Sequence, residues 1–177
     1  MHVHQTCMKK TSLFAAVLFA LSTPAFAQSP NDAQIASIVV TANQVDIDAG
    51  KLAATKAADP EVKKFANLMV ADHTGVNKQA VALVTKLKVK PEDSDTSKSL
   101  KAGGDKNLAD LKGLSGAAFD KAYIDHEVAY HQAVLDAVDK TLIPSASNAE
   151  LKALLVKVRP AFVSHLEHAK HVQSTLK

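Results

Sequence analysis

Five residues spread along the chain have side chains suited to ligating a metal or moving a proton: Asp46, His73, Glu127, His131 and His165. Imidazole and carboxylate without thiolate suit zinc, copper(II), iron or manganese. They act together only if each faces the interior of its element. The run AFVSHLEHAKHV at 161–172 poses that question by itself, because His165, His168 and His171 recur at every third position. At about 100° per residue, a helix turns His168 and His171 away from His165 by about 60° and 120°. The trio is therefore not one face. His168 and His171 are expected in solvent, with Glu167 and His171 as an i, i+4 pair.

Four segments with helical periodicity position the other candidates. In the first, Ile35, Val39, Ala42, Asp46, Ala49 and Ala53 alternate steps of four and three, the seam of a helix packed lengthwise on others. Asp59 is the expected N-cap of the second, with Pro60 at its first helical position. Its seam is Val62, Ala66, Met69, His73, Val76, Ala80, Leu83 and Leu87, and Pro91 closes the run. The third is predicted from Gly116 to Leu142, with Glu127 central in its apolar arc and His131 about 40° away. The fourth begins near Asn148, and its seam includes Leu151, Leu155, Val158, Phe162, His165, Ala169 and Val172. Pro160 within it predicts a kink or break near Val156 to Arg159.

Residues 91–115 differ in kind, being rich in Ser, Asp, Lys and Gly, with Gly103-Gly104 interrupting any long helix. They predict a long connection between helices 2 and 3 carrying one short helix over 105–112. A connection of this length is unusual unless it has a task such as crossing a bundle from end to end.

The levels of the inward polar residues agree. Asp46 lies 13 residues before Asp59 and His73 lies 14 after it. Across a tight antiparallel turn both stand about 20 Å from the corner at 1.5 Å per residue. Glu127 is 14 residues before Thr141 and His165 is 17 after Asn148, which matches to within a turn. Tyr123, one turn before Glu127 on the same face, is placed to donate a hydrogen bond to a ligating side chain from behind and hold it in position. Asp72 and His126 fall at the edges of their arcs, and Asp120 lies two turns from Glu127, so these three are left out of the constellation. Two readings remain. One is a metal site; the other is a buried polar network in which Asp46 and Glu127 accept from the histidines and fix helix register.

Composition narrows the setting. Lys9 and Lys10, the apolar run Leu13 to Leu21 and Ala25-Phe26-Ala27 make a secretory signal peptide over residues 1–27, with 28–177 as a single mature domain. The apolar run is short of the roughly 20 residues needed to span a bilayer, so no integral membrane segment is expected after cleavage. Losing Lys9 and Lys10 leaves 19 basic against 18 acidic residues, a formal charge of +1. With one arginine, Arg159, and no basic cluster, nucleic acid is not an expected partner. Cys7 leaves with the signal, so stability must come from packing or from a metal. There is no strand-like alternation, glycine-rich phosphate loop, nucleophile elbow or CxxC. The expected class is all-α, with no organic cofactor and no assignable catalytic residue.

The runs Asp46-Ile47-Asp48-Ala49-Gly50-Lys51-Leu52-Ala53, Met69-Val70-Ala71-Asp72-His73, Phe119-Asp120 with Tyr123 and His131, and Pro160 with His165-Leu166 resemble the secreted bacterial proteins grouped as domain of unknown function 4142. The likeness spans about Ala33 to Val172. It implies a ferritin-like four-helix bundle, exported and often labelled an outer membrane protein. Without the alternating strands of a barrel, the expected location is the periplasm or the periphery of the outer membrane. The catalytic di-iron pattern of ferritin-like proteins is absent: Val70, Val128 and Phe162 stand three residues before His73, His131 and His165, where a carboxylate would be needed on two of the helices. The sequence thus supports an exported bundle holding a transition metal through His73, His131 and His165 with Asp46 or Glu127, for envelope metal handling or stress tolerance. The alternatives are a metal-free structural or interaction module and a redox enzyme at the same site. Ordinary imidazole ligands would release metal as pH falls through about 6.5.

Overall fold

A computed structural model describes residues 28–176. The signal peptide expected at 1–27 lies outside the described residues. The fold is all-α: α1 is Asp32–Lys56, α2 Pro60–Lys86, α3 Asp95–Lys112, α4 Gly116–Ala137 and α5 Ala149–Thr175. Residues Val138–Leu142 continue α4 as a π-helical segment, and Ile143–Ser145 add one further turn.

The helix starts follow the local chemistry. Asn31 and Gln34 form a reciprocal capping box at α1. Asp59 accepts from the amides of Glu61 and Val62 ahead of Pro60. Asn148 accepts from Glu150 and Leu151 at α5.

Contacts at the ends give the helix directions. The amides of Ala58 and Asp59, at the α1–α2 corner, donate to the carboxylate of Asp120 near the start of α4, at 3.0 and 2.8 Å. At the other end the Asp32 carboxylate accepts from the amides of Ser147 and Asn148, at 2.9 and 3.0 Å. Helices α1 and α5 therefore run one way, and α2 and α4 the other.

The 91–115 segment departs from expectation. It carries an 18-residue helix, α3, instead of a short one, and Gly103-Gly104 lies inside that helix. Gly104 has a packing role: a Cβ there would come within 2.7 Å of Cγ2 of Val45, so its absence lets α3 lie close on α1. Ser94 and Ser97 cap the helix reciprocally. The amide of Glu92 donates to Ala33 O at 3.1 Å, and Lys56 Nζ donates to Lys112 O at 2.6 Å. Helix α3 thus runs alongside α1 in the same direction, from one end of the molecule to the other.

Two other expectations change. The third long helix ends its regular part at Ala137, and the remainder to Leu142 is π-helical. Helix α5 continues without a break through Pro160, where one backbone hydrogen bond is lost between the buried Val158 and Phe162. The core forms two apolar clusters, one around Ile35, Ile38, Leu135, Leu151 and Leu155 and the other around Phe65, Met69, Phe119, Tyr123 and Ile124.

Candidate metal centre

A layer of polar side chains lies between the two clusters. Asp46, His73, Glu127, His131 and His165 are each no more than 3% exposed. Their helices bring them together as the seam positions and matched heights require. One nitrogen each from His73, His131 and His165 lie within 4.8 Å of one another, as do ligand atoms of Asp46, Glu127 and His131.

The outer hydrogen bonds decide which ring nitrogens face this centre. Asn43 Nδ2 donates to Val39 O at 2.7 Å, which turns Asn43 Oδ1 toward His73. An amide oxygen only accepts, so His73 Nδ1, 2.7 Å away, is the protonated nitrogen. His131 Nδ1 lies 3.0 Å from the backbone oxygen of Glu127 and likewise donates. His165 Nε2 lies 2.9 Å from Asp72 Oδ2 and donates to it. In the neutral rings the lone pairs are therefore on Nε2 of His73, Nε2 of His131 and Nδ1 of His165. The first two are 3.4 Å apart, and the third is buried without a partner among the described residues.

The carboxylates face the same problem from the other side. Asp46 Oδ2 is 2.8 Å from His73 Nε2 and 3.4 Å from His131 Nε2. The first distance is short enough for a hydrogen bond, but only if His73 Nε2 carries the ring's second proton, making the ring a cation. Among the described residues no amide or hydroxyl donates to either oxygen of Asp46 or of Glu127, and only a proton held on the neighbouring Glu127 carboxyl or His73 ring could serve Asp46. Leaving such groups unpaired costs about 1–3 kcal/mol each, more when charged. A lone pair 2.8 Å from a carboxylate oxygen also requires a positive charge nearby, either a proton or a cation. The donor set fits a metal ion on these grounds.

Burial dominates the electrostatics. It would raise the Asp46 carboxyl, but the imidazoles of His73 and His131 outweigh it and hold that carboxyl below its usual range. Glu127 is pushed well above the carboxylate range, by burial first and then by the charge of Asp46. Burial lowers His131 to about 4 against the pull of Asp46, and lowers His165 against its hydrogen bond to Asp72. The Tyr123 hydroxyl is raised by burial and by Glu127 and Asp46. That hydroxyl has no hydrogen-bond partner among the described residues, so the hydrogen bond expected from it is not made.

Several residues left aside in the sequence have definite roles. Asp72 orients His165 although its side chain is 43% exposed; an arc-edge position lets a carboxylate reach inward and remain partly solvated. Asn43 orients His73, and its place four residues after Val39 and three before Asp46, beside the seam residue Ala42, was the available signal. Asp120 is a corner cap with no part in the centre. His126 stacks on Tyr130, with ring centroids 5.6 Å apart. His171 is exposed as expected, but His168 is half-buried with its ring edge-on to Phe65 at 5.2 Å. Glu167 accepts from Lys170 at 3.0 Å, in place of the pairing expected with His171.

Among the described residues no helix is long and apolar enough to cross a membrane. No match was found among curated proteins. Among solved structures the chain is similar to CopM in its Cu(II)-bound form, with a TM-score of 0.65 and 18% sequence identity, covering 84% of this chain and 100% of that one. That likeness is one of fold. Residues 20–172 match the family described as Domain of unknown function (DUF4142), and the chain belongs to it.

Proposed function

We propose that this is an exported metal-binding protein of the cell envelope, a ferritin-like four-helix bundle of α1, α2, α4 and α5 with α3 as the crossover along its side. It would hold one transition-metal ion through Nε2 of His73, Nε2 of His131 and Nδ1 of His165. Asp46 and Glu127 would supply a further ligand and balance charge, and Tyr123 would stand behind them. The observation that carries the reading is the tautomer pattern: three imidazoles donate outward to Asn43, the Glu127 carbonyl and Asp72, which leaves three lone pairs for one centre. Such outer partners fix ring orientation and raise ligand basicity in metal sites. Three nitrogens with a carboxylate favour copper(II) or zinc over manganese, and the fold likeness to copper-bound CopM supports copper. A bound ion would be handled for storage, transfer or stress tolerance.

The test is elemental analysis of the protein expressed from its full sequence and purified from the periplasm without a histidine tag or chelator. Near-stoichiometric copper or zinc, lost in His73→Ala and His165→Ala, is expected. Metal content that those substitutions leave unchanged, or no uptake after incubation with either ion, would overturn the proposal and leave a buried polar network. Because burial holds His131 at about 4 and lowers His165, metal should be retained below the pH of about 6.5 at which ordinary imidazole ligands let go. Dialysis at about pH 5.5 followed by elemental analysis reads this directly.

A further inference from the structure

A cavity of about 140 Å³ lies against the centre on the side of the aliphatic cluster. Ile38, Val39, Val134, Leu155, Val158 and Phe162 form its walls, and the rings of His73 and His131 close its inner end. The polar groups around it are almost all engaged: Asn43 is bonded to Val39 and His73, and the Tyr130 hydroxyl donates to Ala42 O at 2.8 Å.

Two backbone irregularities flank this space. The π-helical segment contributes Val138 and Leu142 to the lining, and Pro160 sits between the lining residues Val158 and Phe162. Inserted π turns occur frequently at functional sites, because the extra residue displaces side chains from regular packing. The exposed Thr96 and Ala133 lie at the rim. Outside them, a wider surface cleft of about 520 Å³ between α3 and α4 shares Thr96, Leu100 and Tyr130 with the cavity.

We propose that this cavity is a binding site for a small, uncharged, largely apolar molecule up to the size of a six-membered aromatic ring, admitted between α3 and α4 and seated against His73 and His131. Size and chemistry set that class. An apolar cavity of about 150 Å³ stays dry and takes benzene or xenon, whereas a charged ligand would find no free counter-charge on these walls and would lose its hydration. The site is available with or without an ion at the histidines, so the inference goes beyond the metal reading and does not depend on it.

The experiment uses the purified exported protein after chelation, titrated with benzene in sealed cells, with thermal unfolding and backbone amide shifts as readouts. Benzene is expected to raise the unfolding midpoint and to shift the amides of Val134, Leu155 and Val158, and xenon under pressure should give one peak at the same place in a crystal. Ala137→Phe, which fills the space from a lining position, should abolish the shifts. Leu155→Ala, which enlarges the space, should let the larger indole bind as well. No response to near-saturating benzene in the unmodified protein would overturn the proposal, as would shifts that persist in a folded Ala137→Phe variant. If that variant does not fold, Leu155→Ala decides: unchanged ligand size selectivity there counts against the cavity as the site. Metal content of His73→Ala is a separate readout, so failure of the metal reading is distinguishable from failure of this one.

Discussion

The two apolar halves on either side of the polar layer are built differently. Toward the α1–α2 corner the cluster is rich in small and aromatic residues, with Ala49, Ala53, Ala57 and Ala66 around Phe65, Phe119 and Tyr123 beside Met69, Leu111 and Ile124. Helix α1 comes close to α2 here, because a Cβ on Gly50 would meet Ala66 O at 3.1 Å. Toward the other end the cluster is aliphatic, with Ile35, Ile38, Leu135, Leu142, Leu151 and Leu155, and it contains the cavity. Small residues opposite large flat ones permit tight packing, whereas branched aliphatics around a π-helical segment leave space. The tight half brings α1 and α2 together, and the looser half leaves a cavity lined in part by His73 and His131.

This contrast can be tested by substitution. Phe65→Ala removes a fully buried ring from the tight half and should cost about 3–5 kcal/mol in denaturant unfolding. A cost below about 2 kcal/mol would mean that this half collapses easily and is not tight. An identical change on the two sides should differ in sign: Ala53→Leu, at a position 0% exposed, should cost about 1–3 kcal/mol through overpacking. Ala137→Leu, beside the cavity, should be neutral or stabilise by less than about 1 kcal/mol. Equal losses at both positions would remove the distinction.

The layer between the halves should respond to pH. His131 is held at about 4 in the folded protein, against about 6.5 unfolded. Between these values the unfolded chain takes up a proton that the folded chain refuses. Stability should therefore fall as pH drops from about 6.5 to about 4, by up to about 3 kcal/mol, and then level off for this group. Lowering of His165 acts in the same direction. Glu127 acts oppositely, because its raised carboxyl keeps a proton that the unfolded chain releases as pH rises through its ordinary range. Chelated Glu127→Gln protein removes that opposing titration, and pH-dependent urea melts of it should show the acid-side loss clearly.

The smallest effects concern α3. Gly103 has nothing within 4 Å of a built Cβ, whereas Gly104 meets Val45 at 2.7 Å. Gly103→Ala should stabilise by roughly 0.4–1 kcal/mol, and Gly104→Ala should lose more in strain than it gains in helix propensity. Thermal melts of the pair would show whether α3 is seated by that one close approach.

These glycines mark where sequence reading stopped. Gly103-Gly104 reads locally as a helix interruption because glycine costs conformational entropy in a helix. The gain that offsets this cost, contact with Val45, is made by a residue nearly sixty positions away in another helix. The role of Asp72 is hidden for a similar reason. An arc-edge carboxylate looks solvated on its own helix, and only the position of α5 reveals that His165 Nε2 is 2.9 Å from it.

The sequence by itself determined which residues face inward and at what level. A 3.6-residue period makes Asp46, His73, Glu127, His131 and His165 seam positions, and tight corners near Asp59 and Asn148 put them in one layer. Those properties follow from local geometry and chain length. Tertiary structure decided the rest: which nitrogen of each ring faces the centre, where a cavity opens beside it, and which way α3 runs. Each of these depends on a partner supplied by another helix, whether the Asn43 amide, the Glu127 carbonyl, the π-helical segment or the side chain of Val45. Spacing along one helix contains no information about a distance to another.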